Sequence, residues 1–261
     1  MKNIVGIVML ILLGLGSNQL IAQGPPITGD KPIMLGAKRV VIKTLSEFRK
    51  YEEGIALRTP IMVHYLPTSN FLLGVYIPMV YYNLKGSSKF NEGVVLGDIE
   101  FLAKYQFFKK DGMGKTFRLV AKTLQTIPSG KKLGLEGMST GLYQSYLGIV
   151  GGYESVKYGI SSEIGYNLSP FDNEDEFRLK LGFGLPLLKQ TYPVNQINLF
   201  FEYQNSFFVE SNNLLMLYAQ GLQYAKGRFT IEGAIQFPLL QLGAIERKRE
   251  YSIFFGMRYV I

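Results

Sequence analysis

The stretch Asp98-Ile99-Glu100-Phe101-Leu102-Ala103-Lys104-Tyr105-Gln106-Phe107 decides the fold. Ile99, Phe101, Ala103, Tyr105 and Phe107 share one parity, while Asp98, Glu100, Lys104 and Gln106 share the other. Successive side chains of a strand point to opposite faces, so this stretch has an aromatic, apolar face and a charged one. Wound as a helix, the same residues would scatter charge around the cylinder.

The pattern recurs. Phe117, Leu119 and Ala121 oppose Arg118 and Lys122. Phe177, Leu179, Leu181 and Phe183 oppose Arg178 and Lys180. Ile197, Leu199, Phe201 and Tyr203 oppose Asn198, Glu202 and Gln204, and Phe229, Ile231 and Ile235 oppose Thr230 and Glu232. A soluble sandwich also alternates, but these strands run to about 10–13 residues, the length a tilted membrane strand needs. Their apolar face is strongly aromatic, and their polar face carries charge in mid-strand, where a watery lumen can solvate it. The reading is therefore all-β, a transmembrane antiparallel β-barrel of about 12 strands. The segments are 39–48, 56–66, 71–82, 94–108, 115–127, 141–153, 158–168, 177–187, 195–207, 214–225, 229–239 and 250–261. The first could also be helical, since Lys43-Thr44-Leu45-Ser46-Glu47-Phe48 carries no strict alternation, and 214–225 alternates poorly.

Ahead of the barrel, Met1-Lys2-Asn3 is a basic start, Ile4–Leu15 is almost wholly apolar, and Ser17-Asn18-Gln19 leads to a small Ala22. That is the order of a secretory signal, assigned to 1–22, with an uncleaved anchor as the alternative. An apolar run of about 12 residues is too short to span a bilayer as a helix. Residues 23–38 are then expected as a periplasmic N-terminal segment, and 39–261 as the barrel. With an even strand count both ends share one side, here the periplasm. The gaps at Asn83–Gly93, Pro128–Thr140 and Leu240–Arg249 are long and face outward. Pro67–Asn70, Lys109–Gly114 and Lys226–Arg228 are short turns rich in Pro, Asn, Asp and Gly.

Hydrophobic residues make up 47% and charged residues 18% of the 261, which suits a barrel whose polar lumen dilutes its apolar outside. The formal charge of +8 is dispersed, with no basic stripe of the kind nucleic acid requires. With no Cys and one His there are no disulfides, no lipidated cysteine and no basis for a zinc site; no cofactor is expected.

Gly256-Met257-Arg258-Tyr259-Val260-Ile261 resembles the β-signal read by the barrel-assembly machinery, with Ile in place of a terminal Phe. Gly24-Pro25-Pro26-Ile27-Thr28-Gly29-Asp30-Lys31-Pro32 resembles the Gly-Pro-Pro-Phe-x-Thr-Asp-Asp-Pro opening of the outer-membrane proteins named for the meta-pathway of phenol degradation. Leu73–Pro78, Gly97–Glu100 with Lys104–Phe107, and Ile127–Gly130 are similar to further motifs of that family, over roughly residues 23 to 130. The resemblance implies a porin-like barrel and small-molecule transport. It supplies no substrate and no catalytic residues.

Other motifs fail. Gly112-Met113-Gly114-Lys115-Thr116 ends like a phosphate-binding loop, but Lys109 stands where its first Gly belongs, so it reads as a hairpin turn. Gly182-Phe183-Gly184 reads as packing or a bend. His64 lies between Val63 and Tyr65 with no Ser two residues on, and is read as structural, so no enzyme is expected. Asp172–Glu176 and Glu246–Glu250 read as solvated outer loops, the first a possible cation or lipopolysaccharide contact, the second with a basic core that could touch lipid phosphates.

The lumen candidates are Asp98, Glu100, Lys104, Arg118, Lys122, Glu163, Arg178, Lys180, Glu202, Glu232 and Arg258. Lys104, Arg118 and Lys122 should share one wall, opposite a more acidic side. The functional expectation is a porin-like channel in the outer membrane for passive transport of small solutes, its partners being membrane lipid, lipopolysaccharide and the assembly machinery. The alternative is a structural or adhesion barrel with a filled lumen; the two readings differ in conductance.

Overall fold

The structure is a computed structural model that describes residues 26–261 except 33, 85–91, 134, 136, 171–173, 190–194 and 244–247. The expected signal at 1–22 lies outside the described residues. Thirteen strands form one antiparallel sheet: β1 (Arg39–Tyr51), β2 (Gly54–Leu66), β3 (Phe71–Leu84), β4 (Glu92–Leu96), β5 (Ile99–Gly112), β6 (Lys115–Ile127), β7 (Gln144–Ser155), β8 (Gly159–Leu168), β9 (Glu176–Pro186), β10 (Asn195–Phe208), β11 (Asn213–Lys226), β12 (Phe229–Leu242) and β13 (Arg249–Val260).

Each strand pairs with its chain neighbour, β1 also pairs with β13, and β4 and β5 both lie along β3. The sheet is therefore a closed barrel of twelve staves, one of them the broken strand β4–β5. Closure matters physically, because an open edge would leave N–H and C=O groups unpaired in hydrocarbon.

The expected segment 94–108 is not continuous. Gly97 and Asp98 interrupt it: the Gly97 N–H donates to the Pro78 carbonyl at 2.8 Å, and Asp98 turns its carboxylate to the loop over residues 128–143. The two ambiguous segments are both strands. β1 is fixed by partners on both sides, from Val41 opposite Val260 and from Arg39 opposite Leu66. β11 alternates poorly because its inward positions include Ala219 and Gly221, small rather than polar. Glu176, read as loop, opens β9 as a buried side chain.

The connections after β2, β5, β7 and β11 are short and share one end of the barrel with the longer one after β9; the loop over 128–143 lies at the other end, together with the two-residue turn between β1 and β2. At Met113-Gly114 and at Gly227 the chain reverses through a left-handed residue, with φ of 65° at Gly114 and 57° at Gly227, which only glycine adopts without strain. The outward positions are mostly large and apolar, among them Ile61, Phe101, Leu147, Ile164, Leu222 and Phe255, with β1 the most polar stave through Thr44, Ser46 and Lys50. That band belongs in lipid. Inside, three apolar clusters stand at different heights. Met34, Val41, Leu66, Leu72 and Val120 lie toward the turn end, and Ile27 meets Phe200, Ala234 and Phe254. At the loop end, Leu135 and Met138 of the loop over 128–143 pack on Tyr51, Val80 and Tyr82, so this loop folds into the mouth rather than away from it.

Candidate functional site: the occupied lumen

Ten of the eleven lumen candidates sit at inward positions of their staves, and Asp98 is buried at the break between β4 and β5. The structure draws them into separate groups. Lys122 Nζ lies 2.8 Å from Glu163 Oε1, and Tyr146 Oη donates to that same oxygen at 2.7 Å. The Tyr146 ring lies between two cations, with Lys122 Nζ and Arg178 Cζ each 5.3 Å from its centroid. Inward Gly148 and Gly165 leave the space this ring fills. Arg178 also pairs with Glu176. Glu100 pairs with Arg58 at 2.8 Å, and Glu232 with Lys43 at 2.9 Å. Arg118 stays near the turn, 3.8 Å from Asp111, and Arg258 donates to Thr230 Oγ1 at 3.1 Å. Asp98 accepts from the Gly130 and Gly141 N–H groups at 3.1 and 2.8 Å, so its charge anchors the loop.

The barrel wall is not the only occupant of the interior. Residues 26–32, part of the stretch expected in the periplasm, run inside the lumen, with Pro26, Ile27, Lys31 and Pro32 buried. Glu202 of β10 accepts from the Ile27 N–H at 2.7 Å, the Thr28 N–H at 2.7 Å, the Gly29 N–H at 2.8 Å and the Thr28 hydroxyl. Asp30 lies between Lys104 and Lys122, in contact with the first and 3.0 Å from the second. Lys31 pairs with Glu154 of β7, and Lys180 Nζ donates to the Thr28 carbonyl at 3.1 Å. Lys104 and Lys122 are consequently not a free basic wall, since an acid of the internal segment is inserted between them.

Glycines at inward positions make the room. A Cβ added at Gly152 would stand 2.8 Å from the Pro32 ring, one at Gly221 would stand 2.5 Å from Ile27 Cδ1, and one at Gly182 would stand 3.5 Å from Pro26 Cβ. At Gly182 the tight neighbour is Ser161 Oγ of the adjoining stave, 2.5 Å from such a Cβ, so Gly182 is a packing glycine within the wall.

Parity alone would have found Lys43, Glu47, Arg49 and Arg58, whose strands the sequence reading left without assigned faces. Nothing local marks Asp30 and Lys31 as lumen residues, because Ile27 and Glu202 are 175 positions apart. The inward glycines of β7, β8, β9 and β11 were the available signal, as alternating strands seldom leave one face empty. His64 also faces inward, its Nε2 3.1 Å from the Tyr76 hydroxyl. In the outer loops, Lys248 is exposed and Arg249 already belongs to β13, while Asp172, Asn173, Glu246 and Arg247 lie outside the described residues.

Among solved structures, the COG4313 outer membrane channel from Pseudomonas putida F1 aligns with a TM-score of 0.66 and 8% identity, over 92% of this chain and 100% of that one. This chain is a β-barrel of the outer-membrane type. The KdgM porin aligns with a TM-score of 0.53 and 10% identity, over 84% of this chain and 98% of that one. Identities this low speak for the fold and not for a shared ligand. No family model and no curated protein matches the sequence.

What the arrangement can do chemically follows from its contacts. The internal segment is held by hydrogen bonds and ion pairs to the wall and by apolar packing of Ile27 on Phe200, Ala234 and Phe254 and of Pro32 against Gly152.

Proposed function

We propose that this chain is an outer-membrane channel for the passive passage of small solutes, gated by its own residues 26–32. The observation that carries the reading is the latch at Glu202, a buried carboxylate of the wall that spends its hydrogen bonds on the backbone of residues 27–29, a stretch that belongs to no stave of the barrel. In the closed state the segment fills the middle of the lumen. When it withdraws, the inward charged side chains and the vacated glycine groove form a polar path, filtered by width and by mixed charge. No catalytic step is assigned. The segment is also the stretch that resembles the opening motif of the family named for phenol meta-pathway degradation, which supports placing the chain with those porin-like proteins. Assembly by the barrel-assembly machinery, through Gly256–Ile261, and contact with lipopolysaccharide at the loop end belong to the same reading.

Planar-bilayer recording tests it. The mature chain should conduct weakly or in brief openings, and a variant lacking residues 23–32 should conduct steadily. The second reading, a filled structural barrel, rests on the same ion pairs and requires that neither protein conduct although both show the heat-modifiable migration of a folded barrel.

A further inference from the structure

The two ends of the barrel differ sharply in charge. At the turn end, Lys109, Lys110 and Lys115 flank the β5–β6 hairpin, and Lys226 and Arg228 flank the β11–β12 hairpin. Lys38 and Arg39 lead into β1 at the same end, with Lys157 in the β7–β8 turn and Lys189 after β9. All of these are exposed. Among the described residues at this end, Asp111 is the one exposed carboxylate side chain, and it is paired with Lys109 at 2.7 Å. Among the described residues the loop end has the opposite balance, with Glu52, Glu53, Glu92, Glu210 and Glu250 exposed against Lys131, Lys132 and Lys248.

The height of the basic groups is fixed by their neighbours. Outward aromatic rings stand immediately on the membrane side of them: Phe108 before Lys109, Phe117 after Lys115, Tyr158 after Lys157, Tyr224 before Lys226 and Phe229 after Arg228. Such rings mark the boundary of the hydrocarbon layer. The cations one or two residues beyond lie at headgroup depth, on stems long enough to reach sideways into the lipid. A ring of cations at that depth with one competing acid attracts negative charge distributed around the whole circumference, which an annulus of lipid provides and a single compact partner does not.

We infer that the turn-end rim binds the headgroups of anionic glycerophospholipids in the leaflet it meets. The site is a collar of lysine and arginine lying just beyond the aromatic girdle. It is separate from the lumen and does not depend on whether the lumen conducts.

The test is lipid retention by the full mature barrel. Protein is equilibrated in mixed micelles with equal amounts of phosphatidylglycerol and phosphatidylcholine, and bound lipid is read by native mass spectrometry. Phosphatidylglycerol should be retained several-fold over phosphatidylcholine, and the preference should fall in about 0.5 M salt. Lys110→Gln, Lys115→Gln, Lys226→Gln and Arg228→Gln combined should erase it, while Lys132→Gln with Lys248→Gln at the loop end should leave it unchanged. These side chains are exposed and outside the strand ladders' inward contacts, and heat-modifiable migration checks that each variant folds. Equal retention of the two lipids, or a preference that survives the fourfold change, overturns the proposal. If lipopolysaccharide displaces phosphatidylglycerol from the wild type but not from the fourfold variant, the rim takes that lipid instead and the assignment is wrong. Displacement by inorganic phosphate alone would reduce the collar to unspecific anion attraction and equally overturn it.

Discussion

Glu202 and Thr28 meet twice through one carboxylate oxygen: Oε2 accepts from the Thr28 N–H at 2.7 Å and from its hydroxyl. The same carboxylate takes the flanking N–H groups of Ile27 and Gly29, so three consecutive amides converge on one acid. A backbone curled around an anion in this way is specified by the acid, because a neutral acceptor holds amides less strongly.

Glu202→Gln should therefore unlatch the segment. The amide replaces one accepting oxygen with a donor that faces N–H groups, and a hydrogen bond to a charged group contributes about 1.5–3 kcal/mol. A shift of that size raises the open fraction roughly 10- to 150-fold. Single-channel recording should show longer or more frequent openings, with the closed-state level unchanged. An open probability equal to wild type would mean that Glu202 does not hold the gate.

Gly152→Ala should act on the same segment from the wall. The new Cβ meets the Cγ and Cδ atoms of Pro32 at 2.8 Å, while the nearest wall atom, the Ile160 carbonyl oxygen, stays at 3.4 Å. The plug rather than the barrel must give way. We expect raised conductance with thermal stability close to wild type, measured on the same preparation. Unfolding at a much lower temperature would show that Gly152 serves the sheet instead.

At the loop end, Asp98→Asn should free the loop over 128–143. Asp98 Oδ2 accepts from the Gly141 N–H at 2.8 Å and Oδ1 from the Gly130 N–H at 3.1 Å, and asparagine can replace only one of these acceptors. Trypsin cleavage after Lys131 or Lys132 in the folded barrel should become several-fold faster. Cleavage at the wild-type rate would assign the anchoring to the packing of Leu135 and Met138 and to the Lys131 N–H on the Leu96 carbonyl.

The two faces of a stave can be compared directly. Phe101 faces outward at 43% exposure, and Gln106 of the same strand faces inward. Phe101→Arg should cost about 2–4 kcal/mol in folding free energy into bilayers, and Gln106→Arg, close to the turn end and the lumen, much less. Equal costs would refute the assignment of faces.

Most strands, the faces of the regularly alternating ones and several short turns were legible in the residues themselves, because alternation and turn chemistry are local: which way Phe101 points depends on its parity, and where β5 turns depends on Met113-Gly114, whereas the break at Gly97-Asp98 and the faces of β1 and β2 were not. The Gly-Pro-Pro run at 24–32 was equally legible, although nothing in it says where it goes. Only the closed tertiary structure decided that Ile27–Gly29 meets Glu202, that Asp30 separates Lys104 from Lys122, and that Gly152 and Gly221 leave room for Pro32 and Ile27. The physical reason is range. A strand's face is set by its own backbone, whereas a charge inside a barrel is satisfied by whatever stands across the lumen, and that partner is chosen by closure of the sheet and by the space its glycines leave.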